Sequence, residues 1–158
     1  MANEFAMAGY DVTPVADIPA PTVPPATYDG YIVMDVGFDV YRESYAGAAQ
    51  MTADFASNTV GGTASALYDT AGRPVAGVLT MNGGTIDRFA DPVTEWQINS
   101  GLSGTLTDAD GVDLNVSSTM DGDFLGPNAE GYYTIIDGSM TSIEYGFEFL
   151  LGTTIGQR

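Results

Sequence analysis

The sequence predicts an all-β protein, an antiparallel up-and-down β-barrel of about eight strands with an extended proline-rich N-terminal arm. Three observations predict this class. From Tyr31 onward, apolar and polar residues alternate with a period of two, which is typical of strands with one buried face. Turn signals rich in Gly and Asp recur roughly every 8 to 15 residues. No window shows the periodicity of a helix of three turns.

The first predicted element is the arm, residues 1–29. Five of the eight Pro residues lie between Pro14 and Pro25. Each Pro lacks an N–H and pushes the preceding residue to extended geometry, so a helix is excluded here. About 20 residues in polyproline conformation span roughly 60 Å. The composition also fits a disordered linker, and an ordered arm has to lie on its own barrel or on a neighbouring subunit.

The second predicted element is the barrel, residues 30–158. Its alternating segments are 50–55, 78–81, 95–99, 102–107, 112–117, 133–135 and 143–149. The turn signals between them are Ser57-Asn58, Asp69–Pro74, Asn82–Gly84, Asp108–Gly111, Asp121-Gly122 and Asp137-Gly138. We expect seven to nine short strands joined by hairpins.

Closure of this sheet into a barrel is predicted by its glycines. Of the 20 Gly residues, several lie within or beside the predicted strands, where they permit the strong coiling that closes a sheet and removes its edges. A barrel of about eight strands is filled by side chains or holds one small ligand, and we expect a packed interior. The predicted core consists of Phe55, Leu67, Leu79, Trp96, Ile98, Leu106, Leu114, Phe124, Ile135, Tyr145 and Phe147.

The charge balance excludes several classes of partner. The chain has 21 acidic residues, four Arg and no Lys, which gives a formal net charge of −17. Binding to nucleic acid or to an anionic membrane requires clustered cationic side chains, so neither partner is expected. Residues 1–10 carry no positive charge and no apolar run of signal-peptide length, and no segment approaches the roughly 20 apolar residues of a membrane span. We therefore expect a soluble chain without a leader.

The chain contains neither Cys nor His. Disulfides, thiolate chemistry, Ser-His and Cys-His nucleophile pairs, and nearly all zinc, copper and haem sites require these residues. Only carboxylates, hydroxyls and amides remain for chemistry. We therefore predict no catalytic residues, no cofactor, no resident metal and no enzymatic activity.

Several motifs resemble the barrel domain of transferrin-binding protein B and related small bacterial surface proteins. They are Tyr45–Gly47, Met51–Phe55 with Thr59–Gly62, Gly101–Thr105 and Gly122–Tyr132. The last is the most specific, a Gly-x-Phe-x-Gly-Pro-x-Ala-Glu turn between two late strands, followed by an aromatic strand. The resemblance covers about residues 41–155 and none of the arm. It implies a barrel that serves as a structural and binding module without catalytic activity.

Three groups of side chains suggest specific sites. Asp108, Asp110 and Asp113, like Asp121 and Asp123, suggest a calcium site, but neither segment has the Glu that an EF-hand loop requires at its twelfth position. A turn explains the Asp-Gly pairs without a metal. The third group, Trp96, Tyr132 and Tyr133, suggests a stacking platform for a sugar or haem, although such residues more often belong to a barrel core.

Two arrangements suggest hydrolytic chemistry. Asp69–Gly72 is similar to the Asp-Thr-Gly of aspartic proteases, but its Gly is displaced by one residue, which favours a hairpin tip. A glycosidase-type pair of Glu95 with Glu144 or Glu148 is compatible with the spacing alone. Chance pairs are expected in a chain with this many carboxylates.

The sequence thus favours a non-enzymatic structural protein, with a decoration protein of a phage capsid or similar assembly as the first hypothesis and a virion as its location. The alternative is a bacterial surface protein that binds a host protein or small ligand, which predicts a leader and lipobox upstream of Met1. In the first hypothesis the arm contacts the assembly or a neighbouring subunit, and a homo-oligomer is possible. The predicted contact residues are Phe5, Tyr10, Val12, Val15, Ile18, Val23 and Tyr28.

Overall fold

The computed structural model describes residues 11–37, 42–91 and 94–158. Within these ranges the chain forms one antiparallel sheet. Its strands are β1 (Ala26–Gly37), β2 (Arg42–Asp54), β3 (Thr59–Tyr68), β4 (Pro74–Gly77), β5 (Leu79–Ile86), β6 (Ile98–Thr107), β7 (Asp113–Leu125), β8 (Gly131–Ser142) and β9 (Gly146–Gln157). None of the described residues belongs to a helix that is long and apolar enough to span a membrane.

The sheet closes on itself. Apart from β4 and β5, strands that are neighbours in sequence pair with each other, and β9 pairs with β1 from Asp29 opposite Gln157 to Gly37 opposite Phe149. Both β4 and β5 lie between β3 and β6, so together they fill one position of the ring. The result is an eight-position up-and-down barrel, which confirms the predicted fold class.

The interruption between β4 and β5 depends on a glycine. Gly77 has a φ of 110°, a conformation that L side chains rarely adopt, and a Cβ there would collide with the backbone oxygen of Thr105. The chain bends at this point, and pairing resumes with Leu79. The two short strands thus form one bent strand.

The barrel has two ends, which we call the arm end and the turn end. The arm end is where β1 begins and β9 finishes, and the turn end holds the β8–β9 turn. An aromatic cluster fills the interior at the arm end: Tyr28 lies 6.1 Å from Phe124 and 5.7 Å from Tyr132, ring centre to ring centre. The Tyr28 hydroxyl donates to the Ala129 carbonyl at 2.8 Å. Burial raises the pKa of Tyr28 to about 12, against an opposing effect of Arg158.

Residues 11–19 of the arm lie on their own barrel. Val12 pairs with Leu125, and the Thr13 N–H donates to the Phe124 carbonyl at 2.8 Å. The Thr13 hydroxyl donates to the Gly126 carbonyl at 2.5 Å, and the Gln97 side-chain amide donates to the Thr13 carbonyl at 2.6 Å. A single 3-10 turn follows at Val15–Asp17.

Arg88 holds the next part of the arm. Its guanidinium donates to the carbonyls of Pro19 at 2.8 Å and Phe55 at 3.0 Å, and it also bonds the Asn58 side chain. Ile18 is buried in the barrel core. Residues 11–19 of the arm are therefore held by the barrel itself, which is one of the two placements expected for an ordered arm. The predicted boundary after residue 29 falls inside β1.

Three predicted turns are wrong, because they lie inside strands: Asn82–Gly84 in β5, Asp121-Gly122 in β7 and Asp137-Gly138 in β8. Gly122 and Gly138 do not form turns, but a side chain at either position would not fit against the neighbouring strand. A Cβ at either position would collide with the neighbouring strand, Gly122 with Tyr133 and Thr134 and Gly138 with Ser118. These glycines permit close approach of adjacent strands, and β7 and β8 run on to 13 and 12 residues.

Most of the predicted core is confirmed. Seven of its members are buried: Phe55, Leu67, Leu79, Ile98, Leu106, Leu114 and Phe124. Trp96 and Ile135 are half-buried. The assignment of Tyr145 and Phe147 to the core is wrong, because both side chains are exposed.

Candidate functional site

The outward side of β9 is apolar. Leu150 and Thr154 point into the barrel, so the alternation of the strand places Phe147, Phe149 and Leu151 outside. Their exposed fractions are 62%, 74% and 58%. Large apolar side chains are thus left in water along a strand that is hydrogen-bonded on both sides.

Neighbouring strands extend this apolar surface. In the register of β1 with β9, Tyr31 lies opposite Ile155, and Val33 lies opposite Thr153. On the other side, Ile135 of β8 lies opposite Thr153. Tyr31 is 71% exposed and Val33 44%. We call the resulting surface the β9 face; its residues are Tyr31, Val33, Ile135, Phe147, Phe149, Leu151 and Ile155.

The wall formed by β6 and β7 has a different character. Its outward positions carry small polar residues and glycine: Asn99, Gly101, Ser103 and Thr105 on β6, and Asn115, Ser117 and Thr119 on β7. Hydrogen bonds between side chains cross the wall, such as Thr105 to Asn115 at 2.8 Å. The barrel thus has one apolar side and one polar side.

Carboxylates border the β9 face. Leu151 lies opposite Asp35 on β1 and opposite Asp137 on β8. Two more carboxylates stand on β7, where Asp121 lies opposite Ile135 and Asp123 opposite Tyr133.

Burial affects the two β7 carboxylates. It raises the pKa of Asp121 and of Asp123, and hydrogen bonds from Thr119 and from the Gln97 N–H oppose the shift. Asp121 lies beside Ile135 of the β9 face, and Asp123 lies beside Tyr133. The border therefore consists of acidic groups, two of which are incompletely solvated.

A groove of about 520 Å³ adjoins the β9 face at the arm end. Tyr31 and Ile155 belong to both surfaces, and Leu125 forms a further apolar part of the lining. Glu130 and Arg158 supply charged groups. The Arg158 guanidinium donates to the Asn128 carbonyl at 2.6 Å, so it is anchored to the β7–β8 turn.

The predicted partner contacts in the arm occupy different environments. Ile18 and Tyr28 are buried in the barrel's own core, which corrects their assignment as partner contacts. Val15 packs partly against that core, and Val12 and Val23 are exposed at its edge. For Val12, Val15 and Val23, partner binding stays a prediction. Phe5 and Tyr10 lie outside the described residues.

The suggested cation ligands serve turns and neighbouring strands instead. The Asp108 carboxylate accepts hydrogen bonds from the backbone N–H groups of Asp110 and Val112. The Asp110 carboxylate accepts from the Arg73 guanidinium, and the Asp113 carboxylate accepts from the Thr107 hydroxyl. In the part of the chain that the structure describes, no group of three or more carboxylates could hold a metal ion.

The two suggested hydrolytic arrangements are not assembled. Asp69 lies in the β3–β4 turn and accepts from the Arg73 Nε at 2.6 Å. Burial raises the pKa of its carboxyl, but the hydrogen bonds and charge of Arg73 outweigh this, and the net pKa is lowered. Glu95 accepts from the Asp91 N–H before β6, at the arm end, whereas Glu144 lies in the β8–β9 turn at the opposite end.

The three suggested stacking residues do not form a platform. Tyr132 points into the core, and Tyr133, the next residue of the same strand, points outward. Trp96 lies in the segment before β6 and is half-buried.

Comparisons with known proteins identify the fold. No family model matches the chain, and no curated protein matches it. Among solved structures, it is similar to isotype 1 transferrin binding protein B (TbpB) from serogroup B Neisseria meningitidis, with a TM-score of 0.53 and 18% identity. The fold is a TbpB-like barrel. The similarity covers 92% of this chain and 28% of that chain, so this barrel corresponds to about a quarter of the length of TbpB.

Proposed function

We propose that this protein is a non-enzymatic interaction module that binds a protein partner through the β9 face. The observation that carries the proposal is the exposure of Phe147, Phe149 and Leu151 on one continuous surface. Contiguous apolar surface of this kind marks interaction sites in soluble proteins. Aromatic side chains are also enriched where interfaces bury most of their binding energy.

The polar wall provides an internal comparison. Both walls belong to the same rigid barrel and have the same strand geometry, so the architecture does not require apolar side chains on the outside of β9. Exposed Phe and Leu residues there increase the risk of aggregation without adding to the core. Their presence is explained by a partner that covers them.

The proposed setting is a bacterial surface, with a host protein as the partner. What supports it is the barrel fold shared with TbpB, a protein named for the binding of transferrin. The expected role in decorating a phage capsid, and with it the virion location, has no support in the described residues or in the comparisons.

What supports the absence of catalysis is the placement of the carboxylates. Asp69 is engaged by Arg73 within its own turn, and Glu95 and Glu144 lie at opposite ends of the barrel. Glu95 and Glu144 therefore do not form the pair of carboxylates, about 5 to 10 Å apart, that glycosidic hydrolysis needs.

Site-specific photo-cross-linking in the cells that produce the protein tests this proposal. A benzophenone amino acid replaces Phe149 on the β9 face in one variant and Ser117 on the polar wall in the other. We expect a discrete cross-linked protein from position 149 that position 117 does not give. The identified partner is then purified and its binding measured with the wild type and with the double variant Phe149→Ser/Leu151→Ser.

The double variant is expected to bind the purified partner at least tenfold more weakly, because it removes two large apolar contacts. The fold is checked by circular dichroism, and because both side chains point outward, the barrel should remain intact. Equal cross-linking from both positions, or unchanged affinity of the double variant, would contradict the proposed function.

A further inference from the structure

We infer that the β9 face binds an amphipathic α-helix of about 18 residues whose apolar stripe is bordered by Lys or Arg. This inference rests on the proposed function and specifies the chemistry of the partner. Four features of the barrel support a helix of this kind: the width of the apolar surface, its length, the closure of the sheet and the charges at the border.

The width of the surface suits a helix. At the level of Leu151 the apolar surface is one strand wide, because Asp35 and Asp137 stand on the strands to either side. Adjacent strands are about 4.8 Å apart, so these carboxylates are separated by roughly 10 Å. A helix with its side chains is about 10 to 12 Å across. A partner sheet packed on this wall would cover both carboxylates, whereas a helix lies between them.

The length of the surface sets the length of the helix. From Phe147 to Ile155 the β9 face covers eight steps along the strand, or about 26 Å at roughly 3.3 Å per residue. A helix rises about 1.5 Å per residue, so about 18 residues cover this distance.

Closure of the barrel excludes another common mode of recognition. A peptide can extend a sheet only at an edge strand. β9 pairs with β8 over its whole length and with β1 from Phe149 to Gln157, so this part of β9 is not an edge. The partner therefore contacts side chains of β9 rather than its backbone. An amphipathic helix satisfies its own backbone groups and presents only side chains, as such a surface requires.

The acidic border determines the sign of the partner's charge. Asp35, Asp121, Asp123 and Asp137 surround the apolar residues, and the whole chain carries a formal charge of −17. Lys and Arg beside the apolar stripe of a helix would reach these carboxylates with their long side chains. A second copy of this chain is disfavoured, because a dimer through this face would bring the same carboxylates together.

Two synthetic 18-residue peptides test the inference with the purified full chain. They share the same Leu and Phe positions along one helical stripe and carry either Lys or Glu at the bordering positions. Affinity is measured by fluorescence anisotropy in 20 and 200 mM NaCl. We expect the Lys peptide to bind at least tenfold more tightly than the Glu peptide, and salt to reduce this difference.

Variants separate the apolar and the charged contributions. Phe149→Ser/Leu151→Ser should weaken binding of the Lys peptide at least tenfold. Asp35→Asn/Asp137→Asn should reduce the preference for Lys over Glu severalfold. The matched control Asp17→Asn/Asp113→Asn removes the same net charge away from the β9 face and should leave the preference nearly unchanged.

Four results would overturn the inference. Two concern the peptides: equal binding of the Lys and Glu peptides, or equal effects of the two Asp→Asn pairs on the preference for Lys. The other two would show a different occupant: binding of phosphatidylcholine vesicles, or a dimer at micromolar concentration, in either case abolished by Phe149→Ser/Leu151→Ser. The photo-cross-linking experiment distinguishes these failures from failure of the proposed function. A partner cross-linked at position 149 that is not helical or not basic leaves the function standing and refutes only this inference.

Discussion

At the scale of single residues, the charged carboxylate of Asp123 destabilises the folded protein. Its side chain is half-buried where β7 approaches the arm end, and its hydrogen bond from the Gln97 N–H is 3.3 Å long. Burial raises its pKa, since the charged form loses hydration. The folded protein therefore holds this proton more tightly than the unfolded chain does.

The replacement Asp123→Asn should stabilise the protein at neutral pH. Near pH 3 the carboxyl is protonated in both states, and variant and wild type should be about equally stable. As the pH rises from the ordinary Asp pKa of about 4 through the raised pKa, the wild type loses stability that the variant keeps. Urea unfolding at pH 3, 5 and 7 measures the difference. Asp17→Asn, at an exposed position, is the control. If Asp123→Asn is no more stable than the wild type at pH 7, this account is wrong.

Residue environments were predictable where one face of a strand is clearly polar. Leu102, Leu106 and Leu114 belong to such strands and are buried as their alternation indicates. Segment 143–149 also alternates, but alternation gives the period of a strand and not which face points inward. The useful signal was Gly152 and Gly156, where a Cβ would collide with the Val33 carbonyl oxygen and with the Tyr132 ring. Inward glycines place Phe147 outside, and with it the candidate site.

At the scale of elements, the arm is part of the barrel's structure. Its contacts come from distant parts of the chain: Arg88 and Gln97 precede β6, and Phe124 lies near the end of β7. Proline content correctly predicted that residues 11–25, the described part of the arm before β1, form no helix beyond one 3-10 turn. It could not predict where the arm lies. Arg88, some 70 residues further along the chain, holds the arm, but nothing in the sequence distinguishes it from an Arg exposed to solvent.

Deletion of residues 1–25 should destabilise the barrel by about 4 kcal/mol. Burial of an aliphatic side chain such as Ile18 contributes roughly 1.5–3 kcal/mol, and a hydrogen bond from a charged group such as Arg88 about 1.5–3 kcal/mol. For a chain of this size, the melting temperature should fall by roughly 10 °C or more. Differential scanning calorimetry measures the change.

Point variants locate the effect within the described part of the arm. Ile18→Ala should cost about 2–3 kcal/mol, whereas Val23→Ala, at an exposed position, should change stability by less than about 0.5 kcal/mol. If deletion leaves the melting temperature unchanged, the arm does not stabilise the barrel, and an external binding surface for it becomes the better explanation.

At the scale of the whole molecule, stability should depend strongly on salt. A formal charge of −17 on a compact barrel produces repulsion that is relieved on unfolding. Raising NaCl from 10 to 200 mM at pH 7 shortens the screening length from about 30 Å to below 10 Å, so the melting temperature should rise by several degrees. Near pH 4.1, the isoelectric point, the same salt step should have little effect. A similar rise at both pH values would refute charge repulsion as the cause.

The pairing of β1 with β9 also has a consequence for biosynthesis. Asp29 meets Gln157, so the seam of the ring joins an early segment of the polypeptide to a late one. A nascent chain leaving the ribosome can add strands β1 to β8 one after another, but it keeps an open edge on β1 until β9 emerges. During translation, that edge is the place where a chaperone would protect the chain from pairing with its neighbours.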